Sequence, residues 1–242
     1  MTAAERTGKT DTGVRGGGAF GWMKTRRTQL GIVALLLLFT ALALAVTSPA
    51  LRGWDAHASR ETQEHTNPIL LSVARGLTNL GQFYGLIALA IPLGAWLYRE
   101  GRRFAALFLS LTIFGHLFSV WIKLLFHRPR PGALDDVQVF YPAGGTSFPS
   151  GHAMAATMFF GFLAFVLMLA VREKPRRYAL VAAALLVGTG ICWSRVYVGA
   201  HFLSDVIGGI VAGLAFLLAF IAAYKHFGAQ EISAGASNTV VQ

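Results

Sequence analysis

The sequence predicts an all-α, polytopic membrane protein: six transmembrane helices with both termini cytoplasmic and a helix bundle as the core. Three observations carry that prediction. Of the 242 residues, 55% are hydrophobic and only 13% charged, and the mean hydropathy is +0.55, too apolar for a water-soluble domain of this size. Six apolar runs approach the roughly 20 residues that a helix needs to cross about 30 Å of hydrocarbon. Finally, lysine and arginine are divided unevenly between the two sets of connections.

Residues 1–27 are Gly/Thr-rich and aperiodic, which predicts a disordered cytoplasmic tail. The first run, 30–47, follows Lys24, Arg26 and Arg27 as the core of a signal peptide would. It is longer than a signal-peptide core, however, and "AVTSPALRG" is a weak cleavage pattern, so a retained signal-anchor helix is expected. Segment 48–82, with Trp54, Asp55 and Pro68, predicts an interfacial loop with a short amphipathic helix. The second run, 83–98, is short and contains Pro92, which a membrane helix tolerates where neighbours or a kink satisfy the freed carbonyl. Runs 104–126, 153–171, 178–193 and 202–224 complete a membrane domain over 28–227, and 228–242 form a second cytoplasmic tail. Glycines 208, 209 and 213 in the last run predict close helix packing.

Fourteen of the 21 basic residues lie in the N-terminal tail, in "REGRR" at 99–103, in "REKPRR" at 172–177 and at Lys225, which places that side in the cytoplasm. The net charge of +10 is therefore mostly topology. No basic run interleaved with aromatics accompanies it, which argues against a nucleic-acid partner. The single Cys192 excludes an intramolecular disulfide, and no Cys/His cluster has the spacing of a metal site, so neither metal nor cofactor is expected. His57, His65 and His127 have no partners at ligand spacing and read as solvent or headgroup residues; His116, in mid-run, reads as interhelical packing.

Four of the seven outward basic residues, Lys123, Arg128, Arg130 and Arg195, stand near helix ends in the second half of the chain. Cations placed against the topological bias need a local reason: either a bound anion or snorkelling to lipid headgroups. The spacing around them bears on the choice. "KLLFHRPRP" (123–131), "PSGH" (149–152) and "SRVYVGAHFLSD" (194–205) follow in that order. This trio resembles the type-2 phosphatidic acid phosphatase family, over roughly residues 50 to 225. The resemblance implies a bacterial integral membrane lipid phosphatase with a phosphohistidine intermediate at His201. It also implies a phosphoryl cradle of Lys123, Arg130, Ser150, Gly151 and Arg195.

The residues support those roles chemically. His201 and Asp205 are four apart, so they share a face if the last helix starts near residue 200. A carboxylate on one imidazole nitrogen fixes the tautomer and aims the other lone pair, making His201 a candidate nucleophile and Asp205 its orienter. His152, in the first turn of the fourth helix, can protonate the leaving alkoxide. Prolines 129 and 131 stiffen the "RPRP" loop. The family spacing selects Arg130 there, leaving Arg128 as a support behind the phosphate-binding residues, a substrate-headgroup contact or an interface anchor.

The expected activity is removal of a terminal phosphate from a lipid phosphate or diphosphate at the periplasmic face of the inner membrane. Phosphatidic acid, phosphatidylglycerol phosphate and undecaprenyl diphosphate all present the phosphoryl group that these motifs read. Membrane lipids are the expected partners, and no obligate protein partner is evident. A non-catalytic anionic-lipid binding or transport protein is the alternative. Against it, mere binding needs the cations but not the set His152, His201 and Asp205.

Overall fold

The computed structural model describes residues 19–229, and every regular element among them is helical. The outermost parts of both expected tails, 1–18 and 230–242, lie outside the described residues. Among the described residues nine α-helices follow in chain order: α1 Ala19–Ala45, α2 Pro49–Gln63, α3 Pro68–Leu80, α4 Phe83–Arg99, α5 Arg103–Leu111, α6 Gly115–Lys123, α7 Gly151–Ala170, α8 Lys174–Tyr197 and α9 Leu203–Phe227. α1 thus begins inside the segment expected to be a tail.

Among the described residues, five stretches are long and apolar enough to cross a membrane: Arg26–Ala45, Arg103–Lys123, Gly151–Ala170, Lys174–Tyr197 and Leu203–Phe227. The sixth expected span is α4. Its 17 residues reach only about 25 Å at 1.5 Å per residue, and α3 precedes it across a 69° bend. Gly81 sits at that bend, where a Cβ would collide with Ile191. The third span is α5 and α6 joined by a 3₁₀ turn at Thr112–Phe114, where the Thr112 hydroxyl donates to the Leu109 carbonyl (2.6 Å).

Segment 48–82 departs from expectation. It is two full helices rather than a loop with one short helix. Each starts on the same local signal: Ser48 Oγ accepts the Leu51 N–H ahead of Pro49, and Asn67 Oδ1 accepts the Leu70 N–H ahead of Pro68. A capping side chain followed by proline at the first helical position satisfies an orphan donor and pre-sets φ.

α7 is the central helix. Thirteen of its 20 residues are buried, packed among α6, α8 and α9, while α1 lies against α9. The face of α1 away from the bundle exposes Leu30, Leu37 and Leu44, as a lipid-facing helix does. Close approach of α7 and α9 depends on the glycines at 209 and 213. A Cβ on Gly209 would stand 2.5 Å from the Ser150 carbonyl, and one on Gly213 2.9 Å from that of Met154. The approach brings the start of α9 beside the start of α7, and the Ser150 N–H donates to the Asp205 carbonyl (2.9 Å).

The long connection from α6 to α7 is tied down over that end of the bundle. The N–H groups of Phe140 and Tyr141 donate to the Val198 carbonyl, and that of Ser147 to the Arg128 carbonyl. α2 is strapped to the same connection: Arg52 pairs with Asp135 (2.9 Å), and Gln63 exchanges hydrogen bonds with the backbone of Gln138.

Candidate active site

The three motif segments meet at this end of the bundle. Lys123 closes α6, Arg130 lies in the following loop, Ser150 caps α7, Arg195 stands in the last turn of α8, and His201 precedes α9. Ser150 acts as N-cap, its Oγ accepting the Ala153 N–H (3.5 Å). Gly151 has a packing reason of its own, since a Cβ there would lie 2.5 Å from Ser119 Oγ on α6.

His201 is the centre of the cluster and is 2% exposed. Its Nε2 lies 3.1 Å from a terminal nitrogen of Arg130, while its Nδ1 faces Asp205 Oδ2 at 3.5 Å and Ser147 Oγ at 3.4 Å. The expected i, i+4 pairing is thus present, with α9 starting at Leu203. Burial pushes the His201 pKa down to about 3; Asp205 pulls it upward, and the charges of Arg130 and Arg195 add to the depression. The ring is neutral at neutral pH, with Nδ1–H toward the carboxylate and the Nε2 lone pair outward.

Asp205 is fully buried. Its Oδ2 accepts the Phe202 N–H (2.9 Å) and the Ser147 hydroxyl, and its Oδ1 pairs with Arg128 (2.5 Å). Three donors hold this carboxylate, which fixes its orientation toward the imidazole.

Three cations surround the histidine. Lys123 Nζ donates to the Thr146 and Ser147 carbonyls (2.5 and 3.2 Å). Arg130 donates to the carbonyls of Gly144, Gly145 and Ala200, so it spans from the Gly-rich segment to the histidine. Burial lowers its pKa, with Asp205 opposing, yet a guanidinium remains charged. Arg195, 1% exposed, donates to Thr78 Oγ1 (3.2 Å) and lies over the Tyr141 ring. Its carbonyl accepts the N–H groups of Ala200 and His201, so the arginine also shapes the turn that carries the nucleophile candidate.

His152 lies in the first turn of α7, with its ring edge-to-face against His116 at 5.2 Å. His116 Nε2 is 2.9 Å from the Gly81 carbonyl, so the mid-run histidine joins the α3–α4 bend to the site rather than serving only as packing between spans. Two buried nitrogens, His152 Nε2 and Arg195 Nε, have no hydrogen-bond partner among the described residues. Buried polar groups are rarely left so, and a phosphoryl oxygen or leaving-group oxygen suits both.

Of the places open to Arg128, the structure puts it behind the site rather than toward a headgroup. Its side chain is 5% exposed and bonds to Asp55 (2.6 Å), Ser204 (2.7 Å) and Asp205 (2.5 Å), because two buried carboxylates attract the guanidinium inward. Sequence reasoning missed Asp55, Ser147, Thr78 and Ser204 as parts of this site. Among the described residues no group of His, Cys, Asp and Glu has the arrangement of a metal site.

The geometry matches known proteins. The pattern of the PAP2 superfamily fits residues 103–228. Phosphatidylglycerophosphatase B of Bacillus subtilis is 33% identical over 187 residues, 75% of this chain and 89% of that protein. Undecaprenyl-diphosphatase BcrC of the same organism is 31% identical over 154 residues, 62% of this chain and 72% of that one. The crystal structure of the B. subtilis transmembrane PAP2 type phosphatidylglycerolphosphate phosphatase superposes with a TM-score of 0.73 at 27% identity, covering 81% of this chain and 96% of that one. With three motif segments converging on one buried histidine inside an apolar helix bundle, this chain belongs to the PAP2 superfamily and is a multi-pass membrane phosphatase of that family.

Proposed function

We propose that the protein removes a terminal phosphate from a lipid phosphate or diphosphate at the extracytoplasmic surface of the inner membrane, through a phosphohistidine at His201. The observation that carries this reading is the polarised His201: Nδ1 set against Asp205, Nε2 turned toward Arg130.

Chemically, the Nε2 lone pair attacks phosphorus, a P–N bond forms, and the P–O bond to the leaving group breaks. His152 gives its proton to the leaving oxygen. Lys123, Arg130 and Arg195, with the Ser150 hydroxyl and the Gly151 N–H, take up the charge on the three equatorial oxygens, where phosphoryl transfer gains most of its stabilisation. In the second half, His152 accepts a proton from water as the water oxygen attacks phosphorus. The P–N bond breaks, and inorganic phosphate leaves with His201 regenerated. Three cations in the cradle supply what a metal ion otherwise would.

Phosphatidic acid, phosphatidylglycerol phosphate and undecaprenyl diphosphate are the substrates to compare, since the names of related proteins include actions on the latter two kinds of lipid. With purified protein in detergent and excess EDTA, phosphate release from at least one of the three is expected at an undiminished rate. Strict Mg²⁺ dependence, or no release from any, would sink the reading.

The distribution of basic residues supports cytoplasmic termini and an extracytoplasmic site. Leu134, 96% exposed in the connection over the site, offers the test. A Leu134→Cys protein in intact cells should react with a membrane-impermeant maleimide, because the native Cys192 is buried. Labelling only after the membrane is opened would reverse the orientation.

A further inference from the structure

We infer that Asp55, on α2, is a positioning residue for the nucleophile, fixing the Asp205 carboxylate against His201 through Arg128 and Ser204; the inference rests on the assignment of His201 above. Asp55 lies outside the residues that match the family pattern, 103–228, in a segment whose composition suggests a surface helix, yet it is 0% exposed. A buried carboxylate is costly unless paired and hydrogen-bonded, and each of its oxygens is engaged. Oδ1 accepts the Ser204 N–H (2.9 Å); Oδ2 accepts the Ser204 hydroxyl (2.5 Å) and an Arg128 guanidinium N–H (2.6 Å).

The other terminal nitrogen of Arg128 donates to Ser204 Oγ (2.7 Å) and Asp205 Oδ1 (2.5 Å), which closes a ring of three side chains, Asp55, Ser204 and Arg128, and joins Asp205 to it. The Arg128 guanidinium is also held by the Phe202 ring, 4.7 Å below it. Two features make this ring more than a packing contact. The N-cap residue of α9 is Phe202, whose side chain accepts no hydrogen bond, so only Asp205 caps the helix locally, by accepting the Phe202 N–H; Asp55 supplies a further acceptor, to the Ser204 N–H, from another helix at the turn that carries Asp205. The charge count matters as well. One guanidinium stands between two carboxylates, so the cluster keeps one net negative charge beside the neutral imidazole of His201. Without Asp55, Arg128 would neutralise Asp205 alone and weaken its hold on the Nδ1 proton, and with it the basicity of Nε2.

The test compares variants in phosphate release from dioctanoyl phosphatidic acid in detergent micelles, alongside thermal unfolding. Asp55→Asn keeps the shape and removes the charge; kcat should fall about 10- to 100-fold with KM within about twofold, the mark of an interaction expressed in the transition state. Arg52→Gln breaks another tether of α2, to Asp135, without touching the ring, and should keep kcat within about twofold even where it lowers the melting temperature. If Asp55→Asn is recovered too poorly to assay, Ser204→Ala interrupts the same ring and should lower kcat at least about threefold at unchanged KM. Normal kcat in folded Asp55→Asn or in Ser204→Ala, or equal losses in Arg52→Gln, would overturn the inference. His201→Ala, run in parallel, separates the two ideas: full turnover there removes the nucleophile itself, whereas its failure with normal Asp55→Asn turnover removes only the positioning role.

Discussion

His201→Ala is expected to abolish phosphate release, lowering kcat by on the order of 10⁴-fold or more, as loss of a nucleophile does. The cradle for the phosphoryl group does not depend on that side chain. Arg130 also bonds three carbonyls, Lys123 two, and Arg195 is held by Thr78. The variant should therefore still bind vanadate, read as competition with a lipid phosphate for the inactive protein. Loss of turnover together with loss of vanadate binding would instead mean that His201 organises the pocket. Full turnover would exclude it as nucleophile.

His152→Gln should lose activity by about 10²- to 10⁴-fold on alkyl lipid phosphates, the range of a general acid. In kcat/KM, which covers the steps up to departure of the leaving group and not the later attack of water, the loss should shrink to within about tenfold on an aryl phosphate such as p-nitrophenyl phosphate, whose leaving oxygen departs without a proton. That dependence on the leaving group separates proton donation from phosphate binding, because a binding role would cost both substrates alike. Equal losses on the two substrates would assign His152 to the cradle. The buried Nε2 without a protein partner and the flanking ring of His116 are the structural grounds for expecting the first result.

Much of this architecture can be read from residues alone, and the parts that cannot have a common cause. Apolar run length located α1, the joined α5–α6 span, α7, α8 and α9, because a membrane helix must satisfy its backbone internally and so declares itself by composition. α4 was legible only as a short run; its relation to α3 across the bend depends on Ile191 meeting Gly81. α2 was hidden by its polar composition and α3 by its length of 13 residues, too short to read as a span, although Ser48-Pro49 and Asn67-Pro68 are start signals written in the sequence.

In the site, His201 with Asp205, and the cations, could be picked out by spacing and by their position against the charge bias. The charge on Arg128 was legible but its direction was not. Whether a guanidinium faces a lipid headgroup or two carboxylates turns on where Asp55 lands, 73 positions away in sequence. Ser147, Thr78 and Ser204 belong to the same class: small hydroxyl residues that carry no pattern until helices from distant segments are packed together.

The central claim is that the phosphoryl group passes through Nε2 of His201, and trapping that species tests it most directly. Protein mixed with phosphatidic acid labelled in its phosphate and quenched in alkali within the first turnovers should carry a base-stable, acid-labile label on the peptide containing His201. The label should be absent from His201→Ala. Rapid phosphate release with no label on protein, or with the label on another side chain, would contradict the account.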